Sequence, residues 1–144
     1  MMFPKRGKKR AAMSQAALVK RLDVVFSTFI RLRDADSNGM CRCITCFRGF
    51  RWNEGDAGHF VSRDRKSTRW NEKNVNAQCP YCNRYRSGEQ FLHGKAIDQK
   101  YGPGTADALI QLGKTRSKIP AGWLMYHIDM YLDKVKELRK RKCL

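Results

Sequence analysis

What this chain lacks narrows it before any motif is read. No apolar run approaches the ~20 residues that span a bilayer, which leaves an integral membrane role without support. The basic start, residues 1–10, is not followed by an uninterrupted apolar stretch and does not read as a secretory signal; a reducing cytoplasm is the expected setting. Acidic residues are scarce. Only 13 Asp plus Glu stand against 30 Lys plus Arg in 144 residues, a formal charge of +17. Such a surface attracts polyanions and suits cationic or neutral partners poorly. Nucleic acid is the first candidate and an anionic membrane surface the second. There is no internal repeat beyond two cysteine knuckles, and no RNA-recognition signature. The length allows one domain with a modest core.

What is present begins with cysteine. Cys43-Ile44-Thr45-Cys46 and Cys79-Pro80-Tyr81-Cys82 form two Cys-x-x-Cys pairs. Four soft thiolates at this spacing are the usual set for a closed tetrahedral zinc site, and in a reducing compartment metal is favoured over disulfide. A closed site holds structure and does not catalyse, so chemistry must come from the side chains it fixes. Cys41 also precedes Cys46, and Cys41-Arg42-Cys43 allows either sulfur; Cys43 is preferred because two intervening residues suit a knuckle turn. Cys143 stands apart near the C-terminus.

The chain divides into four stretches. Residues 1–13 form a basic arm suited to phosphate. Residues 14–39 hold an N-terminal helix capped by Ser14, with Leu18, Leu22, Val25, Phe26 and Phe29 on one face and Asp36-Ser37-Asn38-Gly39 as its closing turn. Residues 40–101 form the zinc-bound core. Within it, residues 50–53 and 59–62 read as a hairpin turning at Asn53-Glu54-Gly55-Asp56, and a helix runs from near Tyr81 toward Tyr101. Residues 102–144 are helical: Thr105 caps a short helix that Gly113 ends, and Pro120 opens a last one striped by Leu124, Ile128, Tyr131, Val135 and Leu138. The fold class is α+β, a small zinc-stabilised core flanked by N-terminal and C-terminal helices.

Phosphodiester hydrolysis needs a base for water and a divalent cation on hard ligands with positions left open. A β-hairpin carrying the base, followed by a helix start carrying a ligand, supplies both compactly. His59 follows the expected turn, Asp56 lies three residues before it, and Asn83 directly follows Cys82. The string from Asn74 through Cys79, Cys82, Asn83 and Arg84 resembles the second half of the HNH nuclease signature. The resemblance implies an HNH-like, ββα-metal core with His59 as general base, Asn74 holding the His59 backbone or ring, and Asn83 ligating Mg²⁺ or Mn²⁺. One position departs: many relatives carry Asp immediately before the catalytic His, where this chain has Gly58, and Asp56 is the nearest acid for that role.

A narrower match covers about residues 40–113. Ala57-Gly58-His59-Phe60 with Ser62-Arg63, then residues 70–79 from Trp70 to Cys79, then Cys82-Asn83-Arg84 and Ser87-Gly88, resemble the NinG (Rap) recombination proteins of lambda-like phages. That resemblance implies a structure-specific endonuclease for Holliday junctions and D-loops, working in the cytoplasm of the infected bacterial host. Two symmetric cuts imply a homodimer, with the apolar stripes of the first and last helices as its natural surface. Arg63, Arg65, Arg69, Arg84 and Arg86 would grip the phosphate backbone. Trp52 and Trp70 would be available to stack on unpaired bases. His93 reads as a surface or substrate-contacting residue. The competing reading is a non-catalytic zinc-containing protein that binds nucleic acid, for which charge and cysteines suffice and Asn74 and Asn83 are a turn residue and a helix cap.

Overall fold

The computed structural model describes residues 12–144. The basic arm expected over residues 1–13 lies, apart from its last two residues, outside them. Ser14 caps α1 (Gln15–Asp34): its hydroxyl accepts from the Ala17 N–H at 3.1 Å. The stripe Leu18, Leu22, Val25, Phe26 and Phe29 is buried, joined by Ile30 and Leu32. What covers it is the last helix, α5 (Ala121–Lys142), through Leu124, Ile128, Tyr131 and Leu138. Tyr131 sits edge-on to Phe26 at 5.0 Å and tilted against Phe29 at 4.9 Å. Each fully buried side chain of this size contributes about 1.5–3 kcal/mol.

The two helices run parallel. Gln15 reaches the Ile119 carbonyl just ahead of α5, at 2.6 Å. At the far end, the Lys142 ammonium meets the Leu32 and Arg33 carbonyls at 2.7 and 3.2 Å and so caps the last turn of α1. The stripes that suggested a dimer surface are thus consumed within one chain. Everything between the helices is a crossover, and it contains the site.

That crossover begins at an Asx turn. The Asp36 carboxylate accepts from the Asn38 and Met40 N–H groups at 2.8 and 2.9 Å, and Gly39 adopts the left-handed φ of 78° that the turn requires. β1 (Met40–Arg42) then pairs antiparallel with β2 (Gly49–Arg51), Cys41 opposite Phe50. β3 (Asp56–His59) pairs antiparallel with β4 (Val75–Gln78), His59 opposite Val75 and Asp56 opposite Gln78. The hairpin expected between residues 50–53 and 59–62 does not form. The chain at Gly55 crosses so close to the Phe50 ring that a Cβ there would lie 1.9 Å from it, and the turn redirects the chain without reversing it along β2. The partner of β3 is fifteen residues downstream, across a loop holding the single turn α2 (Lys66–Arg69).

The helix expected from Tyr81 to Tyr101 is also divided. Residues Tyr81–Tyr85 form a π-turn, closed by the Arg86 N–H on the Tyr81 carbonyl at 3.1 Å. Ser87, Gly88 and Glu89 then all take left-handed φ values, 51°, 78° and 49°. α3 (Gln90–Tyr101) starts only beyond this break and leads to α4 (Thr105–Gly113), which Gly104 precedes as cap in place of Thr105. The Gln78 amide, fully buried, holds the break by donating to the Gly88 carbonyl at 2.9 Å.

Candidate metal centre and cleft

The first knuckle sits in the bend between β1 and β2, and the second at the end of β4. The Sγ atoms of Cys43, Cys46, Cys79 and Cys82 all lie within 4.8 Å of one another, with Cys46 and Cys79 3.7 Å apart. Tetrahedral zinc with Zn–S of ~2.3 Å sets sulfurs about 3.8 Å apart, so the donor set fits zinc. Cys41 is excluded: its thiol turns to the Arg31 carbonyl at 3.2 Å, and burial pushes it up to about 11. Burial and the neighbouring sulfurs push the Cys82 thiol up to about 12. Against the push of burial, the Thr45 hydroxyl and backbone N–H groups hold Cys43 down to about 6. One thiolate is therefore ready at neutral pH, and a cation is what favours ionisation of Cys82.

A cleft of about 520 Å³ opens beside this centre, walled by Asp23 of α1, His59 of β3, and Asn83 and Ser87 after the second knuckle. His59 is half-buried, its Nε2 2.9 Å from the Arg69 carbonyl. A carbonyl only accepts, so Nε2 carries the proton and Nδ1 keeps its lone pair. Burial lowers the His59 pKa below its ordinary value, with Arg63 and Arg69 acting in the same direction. At neutral pH the ring is uncharged and Nδ1 is basic.

Asn74 is fully buried and makes no hydrogen bond to the His59 ring. Its amide accepts from the Val61 N–H at 2.8 Å and donates to the Val61 and Thr68 carbonyls, both at 3.1 Å, and its own carbonyl accepts from Phe60 N–H at 2.9 Å. It thereby ties the strand end after His59 to the turn that presents the Arg69 carbonyl.

Asn83 donates through Nδ2 to Asp56 at 2.9 Å. A carboxylate only accepts, which fixes the amide and leaves Oδ1 for another partner. Asp56 does not line the cleft. Both its oxygens are engaged by Arg84, at 2.9 and 2.7 Å, and it orients Asn83 from behind. Gly58 cannot be an acid in this setting, since a Cβ there would lie 2.1 Å from the Gln78 Oε1.

The carboxylate that does line the cleft is Asp23, which the sequence reading passed over. It accepts from Arg69 Nε and Nη2 at 2.9 and 2.5 Å and from Trp70 Nε1 at 3.0 Å. Its signal was an acid set one residue off the apolar stripe in a helix otherwise rich in Lys and Arg. This pairing also changes the arginine set. Arg69 is bound to Asp23, Arg84 to Asp56 and Arg86 to Glu89. Arg63 and Arg65 have no carboxylate partner among the described residues, and Arg63 lines the cleft. Trp70 is buried against Trp123 and cannot reach a base, while Trp52 lies between Arg31 and Arg139. His93 is not on the surface. It is fully buried, stacked on Phe60 at 5.7 Å, and burial lowers it to about 4.

Helices and two small sheets arranged round four cysteines that can hold zinc, in a strongly basic chain, define a class of small protein with a zinc-type centre. Comparison of the sequence goes further: the chain belongs to the NinG family, whose model, described as Bacteriophage Lambda NinG protein, matches residues 3–141. Protein ninG of Escherichia phage lambda is 28% identical over 105 residues, covering 71% of this chain and 48% of that one. Protein ninG of Salmonella phage P22 is 27% identical over 105 residues, with the same coverage. The chain spans about half the length of these curated relatives. No solved structure matches it significantly.

Proposed function

We propose that the protein is a divalent-metal-dependent endonuclease that hydrolyses phosphodiester bonds in branched DNA, such as Holliday junctions and D-loops, in the infected bacterial host. The observation that carries this reading is His59: a neutral imidazole with Nε2–H committed to a backbone carbonyl and Nδ1 free, in a cleft shared with Asn83. Strands β3 and β4 with the turn that carries Asn83 would then be a ββα-metal core of HNH type, and the cysteine centre would fix that turn. His59 Nδ1 takes a proton from water as its oxygen attacks phosphorus, and the 3′ oxygen departs. Mg²⁺ or Mn²⁺, when bound, supplies charge stabilisation for the phosphate and the departing oxygen; Asn83 Oδ1 is the ligand this chain offers it. Arg63 and Arg65, free of carboxylates, take the flanking phosphates.

A second reading, a non-catalytic zinc module that binds nucleic acid, is favoured by one observation. Asp56 is neutralised by Arg84 and position 58 is Gly, which leaves Asn83 with few hard-ligand neighbours. Cleavage of a synthetic four-way junction beside linear duplex, with and without Mg²⁺, decides between them. Metal-dependent nicking of the junction that His59→Ala abolishes supports the nuclease. Tight binding with no nicking under any divalent ion supports the module.

A further inference from the structure

The cleft does not end at Gln90. Ser62 and Gln90 belong equally to a second hollow, a groove of about 650 Å³ between α3 and α4 that continues from it. Its floor is apolar. The Phe60 ring, one residue past His59, lies against bare backbone at Gly94, where a Cβ would come within 3.0 Å of it. Ile110 forms the opposite wall, and Phe91 stands at the mouth, 77% exposed. The ring extends the apolar lining of the groove to the surface, and a contiguous apolar patch with a polar rim is the kind that marks a binding site. The rim is basic: Arg65, Lys95 and Lys114 line it, with the Lys95 ammonium 5.2 Å from the Phe91 ring centre. Of the two acids present, Asp98 is occupied by the Ala106 N–H at 2.8 Å, and Asp107 remains exposed.

We infer that this groove receives a nucleobase that has left its stack next to the phosphate in the cleft, with Phe91 as the stacking surface. An apolar slot for the base, cations on the rim for its phosphates and one carboxylate for an exocyclic amine are the three contacts an unpaired nucleotide needs. A protein partner would have to match the basic rim with acids, whereas DNA brings the phosphates itself. Fully paired duplex has no base to give, so the groove selects branched or single-stranded sites. The inference rests on the nuclease reading for what lies in the cleft, but its test does not require cleavage.

The zinc-loaded full chain carrying His59→Ala is titrated, without Mg²⁺ or Mn²⁺, into a forked duplex with 2-aminopurine at the first unpaired position, and into linear duplex. Binding the fork is expected to quench 2-aminopurine emission and to exceed duplex binding by about tenfold. Phe91→Ala should abolish the quench and the preference while leaving duplex affinity unchanged, and Phe91→Trp should restore both. An undiminished quench or fork preference in Phe91→Ala overturns the inference, as does a fork bound no more tightly than duplex. With His59 intact and Mg²⁺ added, nicking that is indifferent to Phe91 sinks the groove and spares the nuclease. A Phe91-dependent quench in a protein that never nicks does the reverse.

Discussion

Asp23 acts on His59 through a third residue. It holds Arg69, and the Arg69 carbonyl holds the His59 ring. Because the His59 pKa lies below its ordinary 6.5, chiefly through burial, nicking should rise with pH through a midpoint below 6.5 and level off above it. The Asp23 charge raises that pKa. Asp23→Asn should therefore move the acid limb to still lower pH and lower the plateau rate, since the Arg69 carbonyl that orients the ring loses its anchor. A pH–rate profile that keeps its midpoint would remove Asp23 from this role. His93 makes a stability prediction. In the folded state it stays neutral down to about 4, against 6.5 ordinarily, so as pH falls the unfolded chain takes the proton first. The contribution of the neutral ring is complete above 6.5 and is lost as pH falls toward 4, roughly 3 kcal/mol in all. In urea titrations across that range, His93→Leu should lose stability less steeply than the parent; equal slopes would contradict the assignment.

Among the elements, those with a strict period were legible in the sequence. The stripes of α1 and α5 and the two cysteine pairs follow directly from spacing, and Ser14 caps where a Ser should. β4 was invisible because its alternate residues, Asn76 and Gln78, are polar and yet fully buried. Distant groups hold them: Asn76 accepts from Lys100 at 2.9 Å, and the Gln78 amide donates to Thr45 and Gly88 while its Oε1 has no partner among the described residues. The break at residues 87–89 was hidden for a related reason. Ser87 and Glu89 have no local preference for positive φ, a conformation that costs each roughly 1–2 kcal/mol. Only the anchoring of Gly88 from β4 and the cysteine centre justifies it. His59 and Asn83 were readable as a pair, and Asp23 was not, since nothing in α1 announces which loop it will meet. The cysteine centre joins the β1–β2 bend to the end of β4, so its removal should act on both. Chelation, or Cys79→Ser, should lower the melting temperature by about 10 °C or more and abolish nicking together, measured by circular dichroism and junction cleavage. Retained nicking after complete zinc loss would detach the centre from the cleft.

For the molecule as a whole, charge sets the terms of binding. Thirty cations face thirteen acids, and several of those acids are occupied with internal partners. If about four phosphates are neutralised at Arg63, Arg65, Lys95 and Lys114, affinity for DNA should fall roughly 100-fold between about 50 and 200 mM salt. A flat response in fluorescence anisotropy would show that the backbone does not dominate. A homodimer, which two symmetric cuts would require, would have to use a surface other than the helical stripes, which are already covered. The parallel pairing of α1 with α5 has one more consequence, and it concerns time. Phe26 leaves the ribosome more than a hundred residues before its neighbour Tyr131. At roughly 5–20 residues per second, the nascent chain carries an uncovered apolar helix for on the order of 5–20 s, and the cysteine-bound segment has all its parts from about halfway through that interval. Synthesis thus imposes an order in which the metal centre can close first and the hydrophobic core last, and the interval between them is when a chaperone would have something to hold.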